Sequence, residues 1–209
     1  MIRAIAKISP HLSFKPHDEQ DKNLWEEDQN ASSHAEAEVA EKVLGTFRPK
    51  RILDIGAGMG RSSIFFVKKF GWNCHLDLYD GDGDTLRYPI DGPKFPDSFC
   101  GSLSCLRRLM EFNKIENYKI INASETPLEN LGTYDIIYSF YSVGFHWSLI
   151  HFMSDLKNLC HHRTRLMFTV PEKFNYVLPG FRYKLYNWNH IDSTPSKILY
   201  MTKTPKIFN

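Results

Sequence analysis

At 209 residues the chain is too short for two ordinary domains joined by a linker, yet ample for one, which would bury about 70% of its unfolded surface. A composition of 42% hydrophobic, 24% charged and 14% aromatic residues excludes a disordered, collagen-like or coiled-coil protein. Lys plus Arg number 26 against 24 Asp plus Glu; this net charge of +2, with no basic stripe, argues against a nucleic-acid backbone as the main partner.

The first 33 residues are irregular and charged, with Pro10 and Pro16 breaking any long helix, and the main domain is expected over 34–209. The opening MIRAIAKISPHLSF is too weakly apolar for a signal-peptide core. No apolar run approaches the roughly 18 residues of a membrane span. Cys74, Cys100, Cys105 and Cys160 form no C-x-x-C pair and read as reduced thiols of a cytoplasmic protein, with no metal site expected.

Residues 33–47 predict a helix with Ala35, Val39, Val43 and Leu44 on its apolar face, glutamates opposite, and Pro49 as its stop. RILDI at 51–55 is a short apolar run closed by glycines, as a strand buried on both faces would be. RSSIFFVKKF at 61–70 is a helix ended by Gly71. A strand is expected at 73–80, then a proline-rich loop at 85–100. A helix at 102–115 carries Leu103, Leu106, Leu109 and Met110 on one face. Strands follow at 118–124 and 133–143, a helix at 148–160, a strand at 164–171, and two tail strands around 183–190 and 197–203. Such alternation predicts a single Rossmann-like α/β domain: a mostly parallel seven-stranded sheet, helices on both faces, and an antiparallel C-terminal strand. In such sheets ligands bind past the carboxyl ends of the strands, where strand order reverses.

The sharpest motif sits there. Asp54-Ile-Gly56-Ala57-Gly58-Met-Gly60 lies directly after the first strand and before a helix. Gly56 and Gly58 permit a tight turn and let a ligand approach the backbone. A dinucleotide fingerprint would be G-x-G-x-x-G, with a pyrophosphate on the helix N-terminus. Here the third glycine comes one residue early, and an acid stands where a pyrophosphate would be repelled. No Gly-Lys-Ser/Thr follows, so a Walker loop is excluded. A carboxylate at Asp54 suits a ligand bearing ammonium and sulfonium charge.

The pattern resembles motif I of the class I S-adenosylmethionine-dependent methyltransferases, and the likeness extends over roughly 34–203. It implies S-adenosylmethionine as cofactor, with Asp54 at its methionine end and Gly56, Ala57, Gly58 and Gly60 around it. It implies an acid at the second strand's tip for the ribose hydroxyls, where Asp80-Gly81 stands with Asp82 as second choice. It implies adenine contacts at Asn122 and Ala123, against the alternative of an ordinary polar turn.

After the fourth strand comes Tyr141-Ser-Val-Gly-Phe145-His146-Trp147, where the family carries its chemistry. The Asp/Asn/Ser-Pro-Pro-Tyr/Phe sequence of nucleobase amino-methyltransferases is absent. The Gly-Phe-His-aromatic string is similar to one in bacterial methyltransferases of sugar and surface-polysaccharide pathways. A small-molecule acceptor, favoured as a sugar hydroxyl, therefore competes with a protein or RNA acceptor and with a non-catalytic nucleotide-binding Rossmann-like protein. A hydroxyl acceptor must lose a proton, and His146 is the candidate base; the alternative is a residue that packs on Trp147 or caps the next helix. Tyr141, Phe145 and Trp147 are candidate walls of the adenosyl or acceptor pocket. The sequence leaves the oligomeric state open.

Overall fold

In the computed structural model, residues 33–71, 73–81, 102–140, 142–144, 147–174, 179–188 and 196–203 are described. A helix over 33–44 (α1) leads into β1 (Arg51–Ile55), α2 (Arg61–Phe70) and β2 (His75–Asp80). Then come α3 (Leu103–Phe112), β3 (Tyr118–Asn122), a single 3-10 turn (Leu128–Asn130) and β4 (Tyr134–Ser139). The chain continues with α4 (Leu149–Leu159), β5 (Cys160–Pro171), β6 (Phe181–Trp188) and β7 (Ser196–Lys203).

Seven strands form one sheet in the order β3-β2-β1-β4-β5-β7-β6. The first five run parallel, and β7 is antiparallel to both β5 and β6. This is the expected architecture. Alternation along the strands divides the core between two faces. Ile52, Ile136, Tyr138 and Met167 pack with side chains of α1, α2 and α3, while Leu53, Ile55, Ile137, Leu166 and Phe168 pack with those of α4. Strand order reverses between β1 and β4, so the carboxyl ends of those strands bound the crevice where ligands of such sheets bind.

Several boundaries differ from the sequence expectation, each for a local reason. α1 stops at Leu44, where Gly45 takes a left-handed conformation before Pro49 is reached. Its glutamates are not all outward: Glu36 is fully buried, because Arg61 and Ser62 of α2 reach its carboxylate. α3 ends at Phe112, with Asn113 folding its side-chain amide back onto Leu109 O. β4 ends at Ser139 rather than 143, because the Ser139 hydroxyl accepts the Val143 N–H (2.9 Å) and turns the chain. β5 starts four residues earlier than 164, since Thr164 Oγ1 donates to Tyr134 O (2.6 Å) and draws 160–164 alongside β4. The expected loop at 85–100 lies outside the described residues.

Candidate functional site

The β1–α2 turn is stitched to the tip of β2. The Gly56 N–H donates to Tyr79 O (2.8 Å) and the Ala57 N–H to the same oxygen (3.3 Å). Asp80, at the tip, accepts from the Gly58 N–H and, at 2.7 Å, from the Gly81 N–H. One carboxylate can accept about four hydrogen bonds, so two acceptor sites at Asp80 remain for a ligand diol. Burial pushes its carboxyl up to about 6, against the pull of the two amide bonds.

The glycines of the turn serve different ends. Gly56 (φ 72°) lies beneath Ser142, whose Cβ and Oγ occupy the place where a side chain would sit. Gly58 (φ 53°) would carry a Cβ into open space, with no described atom within 4 Å. Gly60 is a packing position, its would-be side chain filled by Met110 and Leu106 of α3. Of the three, only Gly58 has no described atom against its would-be side chain.

Asp54 shares the sheet face of Ile52 and points beneath α2, only 4% exposed. Its Oδ2 accepts from Ser63 Oγ (2.9 Å). Ser63 Oγ and Tyr138 Oη lie 2.5 Å apart. The Tyr138 ring is clamped between Phe140, stacked at 5.3 Å, and Phe66, edge-on at 5.4 Å. Burial pushes the Asp54 carboxyl up to about 7, with the nearby Ser63 and Tyr138 hydroxyls opposing and the charges of Asp80 and Glu36 adding. No Lys, Arg or His among the described residues pairs with it; the nearby Arg61 guanidinium is bound to Glu36 (2.5 Å).

At the tip of β3, the Ala123 N–H donates to Asp80 O (2.8 Å), and Asn122 turns on itself, its Oδ1 accepting from the Ser124 N–H (3.0 Å). Asn122 Nδ2 reaches Glu125 (3.0 Å). The structure therefore brings Asp54, Gly56, Ala57, Gly58, Asp80, Gly81, Asn122 and Ala123 to one edge of the sheet. Trp147 projects into solvent at 64% exposed. Tyr141, Phe145 and His146 lie outside the described residues, as does Asp82.

Sequence reasoning missed Ser63, Tyr138, Ser142 and Glu36. A signal existed for one of them: once β1 and β4 are placed side by side in parallel, Tyr138 falls opposite Asp54. Among the described residues no three metal-ligating side chains converge, and no helix is long and apolar enough to cross a membrane.

No protein-family model matches this sequence, and no curated protein matches it either. Solved structures do. A mutant of MtNAS in complex with S-adenosylmethionine superposes with a TM-score of 0.60 at 13% identity, covering 98% of this chain and 73% of that one. The magnesium protoporphyrin IX methyltransferase of Synechocystis, with bound S-adenosylmethionine, gives 0.56 at 15% identity, covering 97% and 90%. An rRNA methylase from Streptococcus thermophilus gives 0.53 at 15% identity, covering 83% and 97%. Sheet order, single antiparallel strand and these likenesses agree: the chain has the Rossmann-like fold of the class I S-adenosylmethionine-dependent methyltransferases.

Proposed function

We propose that this chain is an S-adenosylmethionine-dependent methyltransferase acting on a small molecule, with a hydroxyl of a sugar or polysaccharide intermediate as the favoured acceptor. One observation carries the reading: a buried carboxylate with no basic partner, Asp54, lies under a glycine turn whose Gly58 faces open space. That arrangement fits a ligand bearing an ammonium group and repels a pyrophosphate. Asp54 would hold the amino-acid end, and Asp80 the ribose hydroxyls beside Gly81. Gly56, Ala57 and Gly58 would form the floor, with Gly60 keeping the turn seated on α3. Asn122 and Ala123 would border the adenine, and Tyr141 the methyl-bearing region.

When bound, the cofactor supplies an electrophilic methyl on sulfur, open to in-line displacement. The protein's part is alignment and exclusion of water. His146, just beyond β4, would take the proton of an acceptor hydroxyl; a positioned base contributes about 10²–10⁴-fold in rate. The near balance of charge favours a small acceptor over RNA.

Titration calorimetry against S-adenosylhomocysteine, NAD and ATP tests the ligand class, and only the first should bind. Labelled cofactor incubated with small-molecule, RNA and protein fractions tests the acceptor, with label expected in the first. Label confined to RNA or protein would overturn the small-molecule reading. His146→Ala should slow single-turnover transfer by the factor given above while leaving cofactor affinity unchanged; an unaltered rate would leave His146 as a packing residue.

A further inference from the structure

Strand register places one polar side chain of β5 at the level of the glycine turn. Asp54 pairs with Tyr138, Tyr138 with Met167, and Met167 with Tyr200, all on one face of the sheet. Two residues nearer the carboxyl edge, at the level of Gly56, that face carries Phe140, Thr169, Ile198 and Tyr186. Among the described residues, Thr169 Oγ1 is the buried side-chain polar atom that has no hydrogen-bond partner, and the residue is 0% exposed. Phe140 and Ile198, which flank it on this level, have no polar side-chain atom to offer. Buried hydroxyls are nearly always bonded, and an unbonded one carries its desolvation cost without return. Valine has the same branched shape and suits a strand equally well, so packing does not account for the hydroxyl.

The loop after β4 spans from the glycine turn to this residue. Ser142 lies over Gly56, and two residues on, a Cβ at Gly144 would come within 2.6 Å of Thr169 O. Neighbouring strands lie about 4.8 Å apart, so Thr169, two strands from β1, stands roughly 10 Å from the turn. In the proposed placement of the cofactor, adenine, ribose and amino-acid end fall on β3, β2 and β1. That leaves the β4–β5 side for the acceptor. We propose that Thr169 is an acceptor-binding residue, its hydroxyl bonding a polar group of the methyl acceptor other than the one methylated. The inference rests on the proposed function and deepens it, since a sugar carries such a second group beside each hydroxyl. The hydroxyl is covered in this structure, so the acceptor reaches it by turning a neighbouring side chain aside.

Thr169→Val removes the hydroxyl and keeps the shape. Its melting temperature should equal or exceed that of wild type, since no bond within the fold is lost. Its affinity for S-adenosylhomocysteine by calorimetry should stay within twofold. Methyl transfer is then followed with labelled cofactor and a dilution series of the small-molecule fraction of a cell extract. At high dilution the rate follows kcat/KM for the acceptor, and Thr169→Val should be slower by about 3–10-fold, the worth of one hydrogen bond. At low dilution the deficit should narrow. Thr169→Ser, which keeps a hydroxyl, should recover most of the loss. A Thr169→Val melting temperature clearly below wild type would mean that the hydroxyl is already bonded within the fold. An unchanged rate at high dilution, or a loss that Thr169→Ser shares in full, would mean that the acceptor does not use it. Each of these results overturns the inference and leaves the proposed function standing. A wild type that labels no small molecule would overturn the proposed function and this inference with it.

Discussion

The two edges of the sheet treat their buried carboxylates in opposite ways. At the amino end of the strands, Asp77 is 3% exposed and accepts from Arg51 (2.9 Å) and from the Tyr134 hydroxyl (2.6 Å), with His75 at 3.1 Å. Beside it, Asp135 takes the Lys50 and Arg51 N–H groups (2.7 and 3.0 Å) and faces His161 (3.1 Å), and these bonds hold its carboxyl below the usual range despite burial. At the carboxyl end, among the described residues, Asp54 and Asp80 are met only by hydroxyls and amides, and burial pushes both up. The amino edge is thus electrostatically complete without a ligand. The carboxyl edge is the one the proposed function completes, with a cation at Asp54 and a diol at Asp80.

Substitution should break this contrast most visibly in stability. Asp77→Ala would leave the Arg51 guanidinium without its carboxylate, though still bound to Thr133 O, and strand the Tyr134 hydroxyl in the core. Hydrogen bonds to charged groups are worth about 1.5–3 kcal/mol and an orphaned buried donor costs a similar amount, so a loss of about 2–4 kcal/mol is expected in urea denaturation, with Arg51 half-exposed and partly rescued by water.

Asp54→Asn should behave in the opposite sense, and pH makes the sign readable. The carboxyl is raised from 3.8 to about 7 in the folded chain, so the native state binds the proton more tightly than the unfolded one. Its contribution is full at acid pH and is lost as pH rises from about 4 to about 7. The variant should therefore gain stability relative to wild type across that interval, by a few kcal/mol at one pH unit per 1.36 kcal/mol. Melting curves at pH 5, 6, 7 and 8 check it; a variant that loses ground with rising pH would place Asp54 with the satisfied acids.

Asp80→Ala removes two amide bonds from the glycine turn and the acceptor proposed for the ribose. Each ligand hydrogen bond should be worth about 1.5–3 kcal/mol before water compensates. Wild type should then prefer the cofactor product over its 2′,3′-dideoxy analogue, and the variant should not. If wild type does not distinguish the two, the assignment fails. The smallest effect belongs to the amino edge: His161→Ala should cost about 0.5–1 kcal/mol in denaturation at pH 7, since the Lys50 and Arg51 amides still hold Asp135.

Much of the carboxyl edge could be read from the sequence because its signals are local. The strand RILDI, the glycines and the following helix sit within twenty residues, and Asp80 follows the second apolar run directly. What escaped depends on partners far along the chain. Helical spacing marks Glu36 as polar and therefore outward, and nothing within a turn of it announces Arg61, 25 residues away. Tyr138 reads as one more core aromatic until the β1–β4 register sets it against Asp54. The close packing of Ser142, from another loop, over Gly56 leaves no trace in the local sequence. Alternation ranks residues by polarity; it does not count their hydrogen-bond partners.

The measurement that bears most directly on the account is the shift in melting temperature produced by S-adenosylmethionine in wild type and in Asp54→Asn at pH 7. A ligand at a hundred times its dissociation constant adds about 2.7 kcal/mol to stability. Wild type should melt several degrees higher with the ligand, while the variant, folded and at least as stable without it, should show little or no shift at the same concentration. Equal shifts in the two proteins would contradict the claim that the carboxyl edge is built around an acid awaiting a cation.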